Sequence, residues 1–89
     1  MEIQLLNGKA MTSREEVHEY LAEKLRFPSY YGKNLDALND CLSVFGKDCV
    51  IILYNADNLR ETCGDYGKKT LEVFQNASDV YGFRFITEN

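Results

Sequence analysis

The strongest strand pattern in the chain is Cys49-Val50-Ile51-Ile52-Leu53-Tyr54, an unbroken apolar run. A strand with one face in water alternates between apolar and polar residues, whereas this run does not alternate. The run therefore predicts a strand that is covered on both faces or that lies in the centre of a parallel sheet. Both positions require further strands or helices elsewhere in the sequence.

Two shorter strand patterns lie near the ends of the chain. Glu2-Ile3-Gln4-Leu5-Leu6 alternates and is followed by the turn pair Asn7-Gly8, and Phe83-Arg84-Phe85-Ile86-Thr87 alternates near the other end. Helical segments separate the three strands, and crossover connections of this kind join parallel strands. We expect a two-layer α/β fold, with a three-stranded parallel sheet packed against helices in one domain over residues 1–89.

Four segments carry helical signals. The first extends from Ser13, which opens a capping box, to about Arg26. The second begins with Asn34 as N-cap and is closed by Gly46. A short helix is expected around Asp57–Cys63, and a longer one is capped by Asp65, extends to about Val80 and is broken by Gly82. The predicted inward residues of the last helix are Tyr66, Thr70, Val73, Phe74, Ala77 and Val80.

Charge and hydropathy argue against several classes of function. Fourteen acidic against ten basic residues give a net charge of −4, which disfavours nucleic-acid phosphates and suits a basic partner. No stretch approaches the roughly 20 apolar residues that span a bilayer. Met1-Glu2-Ile3-Gln4 also lacks the basic and apolar regions of a signal peptide. We therefore expect a cytoplasmic protein that binds neither nucleic acid nor membrane.

Cysteine and histidine usage predicts no metal or other cofactor. The three cysteines, Cys41, Cys49 and Cys63, form no CxxC motif, and the only histidine, His18, is distant in sequence. A zinc site needs about four ligands, so we expect reduced thiols instead. His18 lies beside the apolar stripe of the first helix, where we expect a solvated or locally bonded side chain and not a catalytic one.

The densest polar cluster surrounds the start of the second helix and consists of Tyr30, Tyr31, Gly32, Asn34, Asp36, Asn39 and Asp40. Asp36 and Asp40 are four residues apart on one side of the helix, where like charges destabilise a helix by roughly 0.2–0.5 kcal/mol. No Lys or Arg except Lys33 is close enough in sequence to relieve this repulsion. Tyrosines that we expect to be exposed precede the helix, and tyrosine beside charge is typical of binding surfaces. A solvated surface without a partner would show the same pattern.

The segment from Phe27 to Leu42, FPSYYGKNLDALNDCL, resembles the signature of barstar, the intracellular inhibitor of the bacterial ribonuclease barnase. The run YYGxNLDALxDCL is long and specific, and weaker resemblance extends over the whole chain. The resemblance implies an inhibitor, monomeric when free, that blocks a basic, secreted guanyl-type ribonuclease one-to-one with the acidic helix and its preceding loop. It implies that Asp40 enters the phosphate-binding pocket, with Tyr30, Asn34 and Asp36 also in contact.

The sequence departs from the barstar pattern at Asn39, which stands where barstar carries a tryptophan. The last helix offers Glu72, Asn76 and Asp79 around the place where barstar has further acidic contacts. Phe45 keeps an aromatic residue where barstar also has one, either at the rim or at the edge of the core. Predicted partner-binding residues are Tyr30, Tyr31, Gly32, Asn34, Asp36, Asn39, Asp40, Ser43, Phe45, Asn76 and Asp79.

Two alternatives remain open at this point. An immunity or regulatory protein for a different nuclease toxin or another basic protein would use the same surface. An enzyme could bind Mg²⁺ through Asp36 and Asp40, since oxygen ligands suit this ion. The sequence offers no third acidic residue close by, no Gly-rich phosphate cradle and no evident nucleophile–base pair. We therefore expect a binding protein and not an enzyme.

Overall fold

The computed structural model describes every residue from Met1 to Asn89. It contains three strands, four α-helices and one short 3-10 turn. In chain order they are β1 (Glu2–Asn7), the 3-10 turn (Gly8–Ala10), α1 (Arg14–Leu25), α2 (Leu35–Leu42), β2 (Cys49–Tyr54), α3 (Ala56–Cys63), α4 (Asp65–Tyr81) and β3 (Arg84–Thr87). The predicted order of strands and helices is confirmed.

The sheet is parallel throughout and has the order β1-β2-β3, so the apolar strand β2 is central. Ile51 and Leu53 of β2 are fully buried in the core that the helices share. On the other face of the sheet, Ile3 and Leu5 of β1 are 58% and 54% exposed. The central position predicted for β2 is thus confirmed, whereas helices cover only one face of the sheet.

α4 is the longest helix and the main cover of the sheet. Phe74 of this helix is fully buried, and its ring stacks on the ring of Phe85 in β3, with 5.0 Å between the ring centroids. Gly82 ends the helix with φ 94, as predicted, but Gly64 and not Asp65 is its N-cap. Val80 is wrongly predicted as inward, because the buried stripe contains Leu71 and leaves Val80 75% exposed. None of the four helices has the length and apolar character needed to cross a membrane.

α2 is shorter than predicted, because it ends at Leu42 and Gly46 does not cap it. The Ser43 hydroxyl donates to the Asp40 carbonyl at 2.6 Å and tightens the final turn. The chain then leaves the helical path, and Phe45 becomes buried edge-on against Phe83. Of the two positions expected for Phe45, the structure therefore shows the one in the core.

Candidate functional site

The loop before α2 is joined to the helix by Asn34. Its Oδ1 accepts the Ala37 backbone N–H at 2.7 Å, and its Nδ2 donates to the Gly32 carbonyl at 3.3 Å. The predicted N-cap is thereby confirmed, and the same side chain also holds the loop. The positive φ in this loop occurs at Lys33, with φ 53. Asn34 therefore sets the angle at which the exposed loop meets α2.

Replacing Asn34 with alanine is expected to lower the free energy of unfolding by about 1 kcal/mol, because the Ala37 amide loses its acceptor. Asn34→Asp is the matched control, since a carboxylate keeps that acceptor and loses only the donation to Gly32. Urea denaturation of the three proteins measures the difference. Equal midpoints for Asn34→Ala and wild type would contradict the capping role.

Asp36 and Asp40 are both exposed on α2. The only ion pair in the structure joins Arg60 to Asp57 on α3 at 2.8 Å, so neither aspartate of α2 has a cationic partner. Asp36 lies in the first turn, where the helix dipole favours a negative charge. Asp40 lies in the last turn, where the same dipole disfavours it. The free protein thus carries an unpaired carboxylate at a position that costs it stability.

The two tyrosines before α2 differ in exposure. Tyr30 is 86% exposed, whereas Tyr31 is only 8% exposed. Tyr31 packs on the ring of Phe27 at 4.8 Å between centroids, and its hydroxyl lies 2.7 Å from Nδ1 of His18. The prediction that Tyr31 is exposed is therefore wrong. Of the two adjacent tyrosines, only Tyr30 therefore offers its ring to a partner.

His18 is a buried hydrogen-bonded residue and not a solvated one, with 1% exposure. Its Nδ1 bonds with the hydroxyl of Tyr31, and its Nε2 bonds with the hydroxyl of Tyr66 at the start of α4. Burial lowers the pKa of His18 below its ordinary value, and the positive charges of Arg14 and Lys33 lower it further. Burial likewise raises the pKa of Tyr31. The three neutral side chains join α1, the loop and α4.

We expect the protein to lose stability as the pH falls below about 6.5, the pKa of histidine in an unfolded chain. The fold keeps His18 neutral, because its pKa is lowered there, whereas the unfolded chain takes up the proton. The contribution is fully present above that pH and is lost as the pH falls toward the pKa of the folded state. His18 is the only histidine, so urea midpoints of wild type and His18→Gln at about pH 7.5 and 5.5 isolate the effect. An equal decrease in both proteins would contradict it.

Asn39 is half-buried and turned toward α4, since its Nδ2 donates to the Tyr81 hydroxyl at 3.5 Å. Asn76 and Asp79 are exposed on α4, where Asp79 accepts from Gln75 at 3.4 Å. Asp79 lies about 200° around the helix axis from Tyr81, the residue that meets α2. The structure therefore gives Asn76 and Asp79 no bond to α2.

An open groove of about 300 Å³ lies between the end of α1, the following loop and α2. We call it the Val44 groove, lined by Leu25, Arg26, Phe27, Pro28, Tyr30, Asp40, Cys41 and Val44. Burial and the neighbouring Asp40 carboxylate raise the pKa of Cys41, so this residue acts as an apolar part of the wall. Sequence analysis did not identify the groove because its walls come from three separate segments. An exposed valine just after the acidic helix was the one available signal.

Nothing in this region resembles a metal centre with several ligands. No group of three or more His, Cys, Asp or Glu side chains converges on a point that could hold a metal ion. The magnesium hypothesis therefore has only the two carboxylates of Asp36 and Asp40 as ligands. All three cysteines are free thiols.

The fold and the site define a small α/β domain that presents unpaired carboxylates on one helix beside an apolar groove. The sequence matches the family described as barstar (barnase inhibitor) over residues 1–87, and the chain belongs to this family. It is also similar to a protein named "Putative ribonuclease inhibitor YrdF" from Bacillus subtilis (strain 168), with 37% identity over 76 residues. The aligned region covers 84% of each chain. These findings confirm the resemblance seen in the sequence.

Proposed function

We propose that this protein inhibits a basic, secreted guanyl-type ribonuclease by blocking its active site one-to-one with α2 and the preceding loop. The observation that carries the proposal is the pair Asp36 and Asp40, exposed on one helix without a cationic partner. Family membership and the relative named as a ribonuclease inhibitor support the class of partner. We further propose that the inhibitor acts in the cytoplasm, before the enzyme is exported.

A ribonuclease active site has to present cationic side chains to a phosphodiester. A carboxylate can take the place of a phosphate oxygen there, because charge-assisted hydrogen bonds are about twice as strong as neutral ones. In this proposal Asp40 enters the phosphate-binding pocket of the ribonuclease, and Asp36 lies beside it. Tyr30 and Gly32 contact the rim of the ribonuclease active site. Tyr31 and Asn34 hold the loop in place, so little ordering is needed on binding.

Opposite net charges bring such partners together faster. The inhibitor carries a net charge of −4, and complementary fields raise association rates by about 10–10³-fold at low salt. Screening reduces this gain, because the Debye length falls to about 8 Å at physiological ionic strength. The association rate should therefore decrease as salt is added.

A second candidate is inhibition of a different nuclease toxin through the same surface. One observation favours it: Asn39 is half-buried against Tyr81 at the position where barstar has a tryptophan. A large aromatic anchor of this kind is often an energetic hot spot of an interface. Without the tryptophan, the surface fits a nuclease whose active-site rim has a different shape. The carboxylates of Asp36 and Asp40 keep their place.

Calorimetric titration and RNA-cleavage assays test the proposal, with barnase first and then other basic secreted guanyl-type ribonucleases. The expected result is a one-to-one complex, loss of RNA cleavage and an association rate that decreases with salt. Binding only to a nuclease of another class would support the second candidate. If none of these ribonucleases binds, or if the complex still cleaves RNA, the proposal is wrong.

A further inference from the structure

We propose that the Val44 groove is a specificity subsite that receives one long cationic side chain, arginine or lysine, from the ribonuclease. This inference rests on the proposed function and adds to it the chemistry of one partner residue. It also makes Val44 a residue that determines which ribonuclease is bound.

The groove combines an apolar wall with a carboxylate. Phe27 and Pro28 line it from the loop, Cys41 lines it from α2, and Val44 lines it from the connection that follows α2, with Asp40 in the same lining. Arginine and lysine have the matching construction, since their carbon stems lie on apolar surface while the charged group stays at a polar site. A volume of about 300 Å³ is at the lower end of the range for small-molecule pockets, which suits one side chain and not a second helix.

The charges of the lining set the direction of the bound side chain. Arg26 lines the groove at the end of α1 and repels a cationic group placed there, whereas Asp40 on α2 attracts it. The ring of Tyr30, 86% exposed, is available for a cation–π contact with the same group. A neutral aromatic occupant would instead leave Asp40 buried without a partner, which is costly in a desolvated interface.

Val44 is an aliphatic residue of this lining that is not part of the core. It is 78% exposed and lies in the connection between α2 and β2. Its apolar surface adjoins Asp40 in the groove, whereas Asn39 is turned toward Tyr81. The Val44 groove therefore supplies apolar contact surface beside the Asp40 carboxylate.

Two charge variants of Val44 test the inference when compared with the same variants of Ile3. Val44→Lys and Val44→Glu add opposite charges at the groove, and Ile3→Lys and Ile3→Glu add them on the outer face of the sheet, where Ile3 is 58% exposed. Dissociation constants are measured by titration against barnase and against any other ribonuclease bound by the wild type, with Asp40→Ala measured in parallel. Unfolding midpoints confirm that each variant is folded.

The expected result is that Val44→Lys binds at least about 10-fold more weakly than Val44→Glu. The reason is that the introduced lysine lies close to the cationic side chain of the ribonuclease and repels it. This difference should exceed any difference between the two Ile3 variants. Equal weakening by both Val44 variants would indicate a neutral occupant and overturn the inference. If the Val44 variants match those of Ile3 while Asp40→Ala still weakens binding, the groove lies outside the interface and only this inference fails. If the wild type binds no ribonuclease, the proposed function fails and the inference fails with it.

Discussion

Asp40→Ala is expected to raise the dissociation constant for the ribonuclease by at least about 30-fold, the equivalent of about 2 kcal/mol that defines a hot spot. In the proposed complex this carboxylate is the group that replaces a phosphate oxygen among cationic side chains. Its removal leaves those cations buried and without a counter-charge, which adds to the loss. The effect should appear mainly in the dissociation rate, as is usual for interface substitutions.

The same substitution is expected to leave the free protein at least as stable as the wild type. Asp40 has no cationic partner, lies four residues after Asp36 and occupies the last turn of α2. Like charges at this spacing cost roughly 0.2–0.5 kcal/mol, and a negative charge near a helix C-terminus typically costs a further 0.3–1 kcal/mol or so. Alanine removes both costs and also has the higher helix propensity. A residue that lowers stability while it is essential for binding is the signature of a functional position.

Glu61→Ala is the matched control, because it removes one exposed negative charge from α3. Titration calorimetry gives the dissociation constants, and urea denaturation gives the free energies of unfolding. Glu61→Ala should change only the salt-dependent association rate, and by a small factor. Similar affinities for Asp40→Ala and Glu61→Ala would show that Asp40 is ordinary surface. A clear loss of stability in Asp40→Ala would show that its role in the fold had been misjudged.

Local patterns predicted most of the fold. The apolar run at β2 gave its central position, and the caps Ser13 and Asn34 marked the starts of α1 and α2, each bonded as expected. These features depend on residues within a few positions of one another, which a sequence displays directly. The two errors around α2 concern its last turn and the orientation of Tyr31.

The burial of Tyr31, and the choice between the two positions left open for Phe45, depend on partners distant in sequence. Tyr31 lies in the loop, and its buried hydroxyl bonds with a ring nitrogen of His18 on α1. Phe45 turns inward because Phe83 lies across the core. Periodicity within one segment does not report such contacts. The carboxylates of the candidate site were visible in the sequence, whereas the Val44 groove beside them required the assembled structure.

The second large effect is expected from His18→Ala, which should lower the free energy of unfolding by about 3 kcal/mol, as large-to-small changes in cores commonly do. The imidazole is fully enclosed and is the common partner of the Tyr31 and Tyr66 hydroxyls. Its removal leaves a cavity and deprives the buried Tyr31 hydroxyl of its partner, and an unsatisfied buried group costs about 1–3 kcal/mol. The whole free energy of unfolding of a small domain is only about 5–15 kcal/mol, so the variant should unfold at a clearly lower urea concentration.

Tyr31→Phe separates the hydrogen bond from the packing, because it keeps the ring on Phe27 and removes only the hydroxyl. Tyr31→Phe alone should lower the free energy of unfolding by about 1 kcal/mol. In the double variant with His18→Ala, the loss in the free energy of unfolding should be smaller than the sum of the two single losses. The hydrogen bond is already lost in His18→Ala, and residues in contact couple by roughly 0.5–3 kcal/mol. Both variants should also bind the ribonuclease more weakly, because Tyr31 fixes the loop that carries Tyr30. Additive free energies of unfolding in the double variant would show that His18 and Tyr31 act independently, and Asn34 would then remain as the anchor of the loop.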